Sequence, residues 1–282
     1  MKLFVDNLSN VDVSYLDAKR GLVGESWLVG LILEGSLNNE SMICDFGIVK
    51  RNAKKWLDTY LDHTLVVPRQ MPGLTITETG QDLEVSFTFP KGQFICKGPK
   101  EAFAILDAPA VTPAHLSPWI EQELANTIPG QIDTAKIIMH TELIGGAFYH
   151  YSHGLKKHNG NCQRIAHGHR SKIEIFIQGA RNPELEKEWA AKWKDIYIGT
   201  REDLRNIAEI NGIAHHQYEY TSAQGEFSLT IPASCCYLID TDTTVEQLAE
   251  HIAQTFKKQF PDKKVTIRAF EGVGKGAIAE YA

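Results

Sequence analysis

The chain has 282 residues, 43% of them hydrophobic and 23% charged, with a formal net charge of -6. That length suits one large domain or two smaller ones, and the composition is that of an ordinary soluble globular protein. The acidic balance gives no reason to expect nucleic acid, no Lys/Arg cluster resembles a backbone-tracking patch, and no apolar run approaches the roughly 20 residues of a membrane span.

MKLFVDN meets an aspartate at once, which predicts no leader peptide. Cysteines at 44, 96, 162, 235 and 236 have no framework spacing, so a reduced, cytoplasmic protein is expected. In chain order, apolar periodicity predicts a strand at about 2–9, a strand at about 25–34, a helix at about 45–61, a strand at about 74–89, a helix at about 112–127 and a strand at about 134–142. Asp45 opens the first helix as its N-terminal cap. Asp62-His63, just past its end, reads either as an ordinary helix end or as an acid/base pair in which the carboxylate orients the imidazole.

Leu-Ile-Gly-Gly at 143–146 suits a turn, and beyond it the scheme recurs. Aligning Val23-Gly24-Glu25 with His167-Gly168-His169 carries SWLVGLILEG onto RSKIEIFIQG without a gap. WAAKWKDIYIGTREDLRNIAEINGI reads as the first helical region of the second half and GEFSLTI as a strand. TTVEQLAEHIAQTF then matches VTPAHLSPWIEQEL as a helix, and each is followed by a short strand ending near a glutamate, Glu142 or Glu271. Two α+β units follow, over 1–143 and 144–282.

The chemistry concentrates in the second unit. Alternation of Ile173, Ile175 and Ile177 with polar residues marks a strand, which puts His167 and His169 on one face when extended back. His153 lies on the preceding strand of FYHYSHGL, and three neutral imidazoles with an open position form a usual catalytic zinc arrangement. A lone histidine is ordinarily a surface or core residue; for a trio on adjacent strands that reading is weaker. Cys162 stands five residues before His167, close enough to fold over a metal, where a thiolate is stabilised. The other four cysteines sit in apolar runs and read as small apolar fillers. The first unit has no histidine before His63, so the same metal site is absent there.

The set S-H-G-L, C-x(4)-H-G-H, D-F-x(3)-K, L-D-H, T-x-E and a late F-E closely resembles the 6-pyruvoyltetrahydropterin synthase and 6-carboxytetrahydropterin synthase family, once per half of the chain. The resemblance implies the tunnelling fold, here as an α+β tandem of two units, each an antiparallel four-stranded sheet with two helices on one face. It implies Zn2+ on His153, His167 and His169, with Cys162, Asp62 and His63 as the catalytic groups, and Glu271, Glu246 and Thr244 around the substrate. It further implies a pterin triphosphate substrate, 7,8-dihydroneopterin triphosphate, and a homo-oligomer closing a β-barrel, with neither nucleic acid nor membrane as partner.

The 6-carboxy outcome, feeding 7-deazapurine (queuosine) synthesis, is preferred over the 6-pyruvoyl outcome, although the gap of four residues from Cys162 to His167 lies between the three and five usual for the two. The terminal GVGKG reads as a turn or a phosphate cradle. A metal-dependent hydrolase would need neither the thiol nor the two glutamates, and a non-catalytic scaffold would leave the motifs damaged. Because Asp62-His63 lies in the half without metal ligands and Cys162 in the half without such a pair, one composite site joining the halves is expected.

Overall fold

The computed structural model describes residues 1–125 and 132–282. Its first half runs β1 (Lys2–Asp17), β2 (Gly21–Gly35), α1 (Phe46–Tyr60), β3 (Leu65–Pro68), β4 (Thr75–Thr79), β5 (Asp82–Phe89), β6 (Gly92–Pro99), β7 (Phe103–Leu106), α2 (Pro113–Ala125) and β8 (Ile132–Thr141). The second runs β9 (Phe148–His153), β10 (His167–Ile177), β11 (Ala180–Arg181), α3 (Pro183–Lys192), β12 (Ile196–Thr200), β13 (Leu204–Ile210), β14 (Ile213–Ser222), β15 (Gly225–Pro232), β16 (Cys236–Ile239), α4 (Val245–Gln259), β17 (Val265–Phe270) and β18 (Gly276–Tyr281). Apart from β11 and β18, the order of elements in the second half repeats that of the first.

Each half builds its own sheet, ordered β7-β3-β1-β2-β8 and β16-β12-β9-β10-β17-β18, with β11 beside β10. The strands β1, β2, β8 and β9, β10, β17 pair antiparallel, as expected of the tunnelling fold, but the sheets hold five and seven strands rather than four, because two short parallel strands widen each. Periodicity explains the helices. Val49, Trp56 and Leu57 of α1 and Leu116 and Ile120 of α2 bury one face against Val11, Val13, Val29 and Leu31. Leu185 and Trp189 of α3 and Leu248, Ile252 and Phe256 of α4 do the same against Tyr149, Tyr151, Ile173 and Ile175. Each such side chain contributes about 1.5–3 kcal/mol on burial, several times an exposed ion pair, so these stripes fix the helices. Asp45 caps α1 as expected, accepting from the Ile48 N–H at 3.1 Å.

A third sheet, β13-β14-β15-β6-β5-β4, takes three strands from each half, joined where Ser228, Leu229 and Thr230 pair with Lys97, Cys96 and Ile95. Its apolar side, with Phe94, Cys96, Tyr218 and Leu229, buries Leu16, Leu22, Ile165 and Ala166 at the ends of the other sheets. The two halves also meet where β1–β2 crosses β9–β10. Gly24 and Gly168, the residues aligned by the internal repeat, lie backbone against backbone: a Cβ on Gly168 would stand 2.7 Å from Gly24 Cα and 2.7 Å from Ser14 Oγ. Ser14 Oγ donates to Ser152 Oγ at 2.6 Å in the same contact.

Three local expectations change. The single strand at 74–89 is a hairpin, because Gly80, with φ +63°, turns the chain between β4 and β5. The first helical region of the second half ends at Lys192, and its remainder forms β12 and β13. His215-His216, outside every strand and helix expected above, lies on β14; His215 Nε2 accepts the Gln93 N–H at 3.0 Å and ties the two halves of the third sheet. The helix expected at 112–127 spans Pro113–Ala125, and its last two positions lie outside the described residues. As expected of fillers, Cys44, Cys96 and Cys235 are buried. Among the described residues no helix is long and apolar enough to cross a membrane.

Candidate metal and acid/base site

His153 closes β9 and His167 opens β10, directly opposite in the antiparallel register, with His169 two residues on. All three are fully buried, at 1% exposure or less. What makes them a site is the way their Nδ1 atoms are occupied. His153 Nδ1 lies 3.0 Å from both the carbonyl and the hydroxyl oxygen of Thr243, and His167 Nδ1 lies 3.0 Å from the Arg164 carbonyl. His169 Nδ1 faces Asp12 Oδ1 at 3.3 Å, an ion-pair distance off the ideal hydrogen-bond line.

Each ring thereby leaves Nε2 free, and ligand atoms of the three converge within 4.8 Å of one another. His153 Nε2 and His169 Nε2 are 3.2 Å apart, close to the roughly 3.3 Å separating two nitrogens bound tetrahedrally at about 2.0–2.1 Å from one ion. Burial first, and the neighbouring imidazoles second, hold His153 and His167 well below the usual histidine range, so both stay neutral and their lone pairs available. This donor set fits a divalent metal, and orientation of the rings through Nδ1 is what such ligands ordinarily have.

Asp62-His63 reaches this cluster within a single chain. His63 Nδ1 lies 2.6 Å from Asp62 Oδ2, and ligand atoms of His63, Cys162 and His167 also lie within 4.8 Å of one another. Burial opposes charge on His63, but its hydrogen bonds to Asp62 and Cys162 outweigh that and raise it to about 10. His63 takes φ +57°, uncommon for a residue other than glycine, while its N–H donates to the Asp12 carbonyl at 2.7 Å. Cys162 sits on a short turn at 161–163 whose Asn161 side chain donates to the Asp58 carbonyl of α1 at 3.1 Å, docking the cysteine loop on the first half. The composite arrangement expected from the distribution of motifs is therefore formed by one chain.

The glutamates and threonine separate. Glu271, just after β17, keeps 21% of its side chain exposed and places Oε1 3.9 Å from His169 Nε2. Thr244 caps α4, accepting from the Gln247 N–H, and borders a cavity of about 140 Å³ with Leu155, Lys157, His158 and Asp242. Glu246 is exposed on the first turn of α4 and lines an outer groove with β18 residues Ala277, Ile278 and Glu280. Lys275 of GVGKG pairs with Asp12 Oδ2 at 3.2 Å.

Sequence reading missed three residues here. Asp12 is buried against Ser26, His169 and Lys275; nothing in VDVS marks it except a charge between two strand valines. Thr243 escaped because its neighbour matched the motif. Arg164, 3% exposed, donates through Nε to Gln224 Oε1 at 3.2 Å and leaves Nη1 without a hydrogen-bond partner.

Residues 142–281 match the family model described as 6-pyruvoyl tetrahydropterin synthase. A putative 6-carboxy-5,6,7,8-tetrahydropterin synthase of Pyrococcus horikoshii is 28% identical over 132 residues, which cover 47% of this chain and 76% of that protein. Among solved structures, a Plasmodium vivax 6-pyruvoyltetrahydropterin synthase is 19% identical, covering 50% of this chain and 90% of its own with a TM-score of 0.41. The Plasmodium falciparum protein is 17% identical, covering 49% and 90% respectively, also with a TM-score of 0.41. Residues 142–281, which carry the three converging histidines and Cys162, belong to the 6-pyruvoyl tetrahydropterin synthase family.

Proposed function

We propose that the protein is a zinc-dependent 6-carboxy-5,6,7,8-tetrahydropterin synthase acting on 7,8-dihydroneopterin triphosphate. The observation that carries this reading is the meeting of three free Nε2 atoms with the Cys162, His63 and Asp62 side chains in one buried centre. Residues 144–282 supply the ligands and the thiol, and residues 1–143 supply the acid/base pair. A bound zinc ion contributes Lewis acidity toward the hydroxyls of the substrate side chain. Cys162 removes a proton from that side chain, and His63, oriented by Asp62, returns or relays one on the opposite side. Glu271, beside the cluster and partly exposed, accepts hydrogen bonds from the amino and ring N–H groups of the pterin. Glu246 and Thr244 belong to the same reading as outer substrate contacts.

The strands β8 and β18 each end a sheet and pair on one side only among the described residues, with Ile138 and Ile278 exposed. Open edges of this kind are ordinarily covered, and we assign them to a closed homo-oligomer. The test is to incubate the zinc-loaded protein with 7,8-dihydroneopterin triphosphate and identify products by mass. A tetrahydropterin bearing a carboxyl group, together with acetaldehyde, supports the 6-carboxy reading; a 6-pyruvoyl product selects the sister reaction; unchanged substrate refutes both.

A further inference from the structure

Two of the three candidate ligand imidazoles are held from within their own half, His153 by Thr243 and His167 by the Arg164 carbonyl. His169 is held from the other half. Its Nδ1 is buried and its polar neighbour is the Asp12 carboxylate, 3.3 Å away. Asp12 is itself 3% exposed and firmly placed: the Ser26 hydroxyl donates to Oδ1 at 2.5 Å, and Lys275 Nζ stands 3.2 Å from Oδ2. Its main chain holds the acid/base pair as well, since the Asp12 N–H donates to Asp62 Oδ1 at 2.8 Å and the Asp12 carbonyl accepts from the His63 N–H at 2.7 Å.

The geometry points to Asp12 as the positioning carboxylate of the metal centre, supplied by the half that carries no metal ligand. It fixes the tautomer and direction of His169 and, through its backbone, the register of Asp62-His63 against the same centre. This rests on the metal reading above and not on the identity of the substrate. A carboxylate behind a ligand imidazole makes the ligand more basic and stiffer, and removing such a partner typically weakens metal binding about 10–100-fold.

The crossing contains its own control. Asp12 pairs with Ser26 and Val13 with Glu25 in the first half, as His150 pairs with Arg170 and Tyr151 with His169 in the second. Glu25 thus stands where His169 stands, and His150 where Asp12 stands, so a carboxylate and an imidazole face each other on both sides with roles exchanged. On the second side they are 3.8 Å apart, and His150 Nδ1 lies 2.7 Å from the Gly24 carbonyl instead. Tyr15 and Val23 occupy the positions of the other two ligands, and an Arg20–Asp195 ion pair lies beside Tyr15. An imidazole–carboxylate contact is therefore a feature of the crossing, but only at Asp12 does it back a converging set of nitrogens.

The experiment measures zinc affinity by chelator competition, and the visible spectrum of the cobalt-substituted protein, in wild type, Asp12→Ala, Asp12→Asn and Glu25→Gln. Asp12→Ala should bind zinc about 10–100-fold more weakly with an altered cobalt spectrum, Asp12→Asn should fall between it and wild type, and Glu25→Gln should match wild type. Folded Asp12 variants with wild-type affinity and spectrum would overturn the inference, as would an equal loss in Glu25→Gln, which would assign the effect to the crossing. Should the Asp12 variants fail to fold, Ser26→Ala replaces them: it removes the hydroxyl that anchors the carboxylate, and a several-fold weaker zinc site is expected, with unchanged affinity overturning the inference. A wild-type protein that binds no zinc would instead sink the metal reading itself.

Discussion

Gly24→Ala tests whether the crossing of the halves holds the site together. The substitution asks for no forbidden backbone angle, so its cost is collision alone. The new methyl would lie 2.7 Å from the Tyr151 carbonyl carbon and 2.7 Å from the His169 nitrogen, and closer still to the Tyr151 carbonyl oxygen. Unbonded carbons settle near 3.5–4.0 Å, so β2 must retreat from β9 and β10 by about 1 Å. Both surfaces are backbone, with no side-chain end to swing aside, which places the cost at about 3 kcal/mol, the upper part of the range for overpacking. For a chain of this size that lowers Tm by about 6–12 °C. Scanning calorimetry measures it, and Gly145→Ala, where a methyl meets nothing within 4 Å, is the neutral comparison. The same retreat carries Asp12 and His63 away from the histidines, so zinc affinity should fall with Tm. A Gly24→Ala protein that melts with wild type and binds zinc equally well would show that the crossing does not hold the site.

Three more outcomes follow from the site and its mirror. Cys162→Ala should keep its metal and lose turnover by about 10² or more, the size of a lost acid/base group; steady-state kinetics with a zinc assay checks both. His63→Ala and Cys162→Ala, mixed and allowed to exchange subunits, should recover no activity, because both groups come from one chain; recovery would mean the working site forms between chains. Burial raises Glu25 from 4.5 to about 7, against its hydrogen bond from Ser26 N–H and the nearby Arg170 charge. Between those values the folded state binds the extra proton, so this group's contribution to stability falls as pH rises from 4.5 to 7. Glu25→Gln should remove that slope and gain about 3 kcal/mol above pH 7 relative to wild type, at about 1.36 kcal/mol for each unit; urea titrations at pH 5 and pH 8 showing the same difference would contradict it.

The parts of this molecule that were legible in the sequence are those written locally. His167 and His169 share a side because a strand alternates, and Asp45 caps α1 because its carboxylate is short enough to reach the Ile48 N–H. The third sheet was not legible, since pairing β15 with β6 joins residues far apart in sequence and no local pattern specifies it. One signal for it was present. Asn211-Gly212, at φ 51° and 76°, is the two-residue hairpin that connects β13 to β14, and the helical spacing of the preceding residues concealed it. Asp12 was hidden for a different reason: its partners His169 and Lys275 come from the other half, and only the crossing at Gly24 and Gly168 brings them near. Conversely, the motif that placed Glu246 beside the substrate says nothing of where the first turn of α4 points, and that residue faces the outer groove.

One chain brings the three histidines of its second half and Asp62-His63 of its first half to one centre. The most direct measurement is anomalous diffraction at the zinc absorption edge from crystals of the zinc-loaded protein. One peak per chain is predicted, about 2.0–2.1 Å from Nε2 of His153, His167 and His169, with His63 of the same chain beside Cys162. Two equal peaks per chain, a peak away from the three histidines, or a His63 drawn from another chain would contradict it.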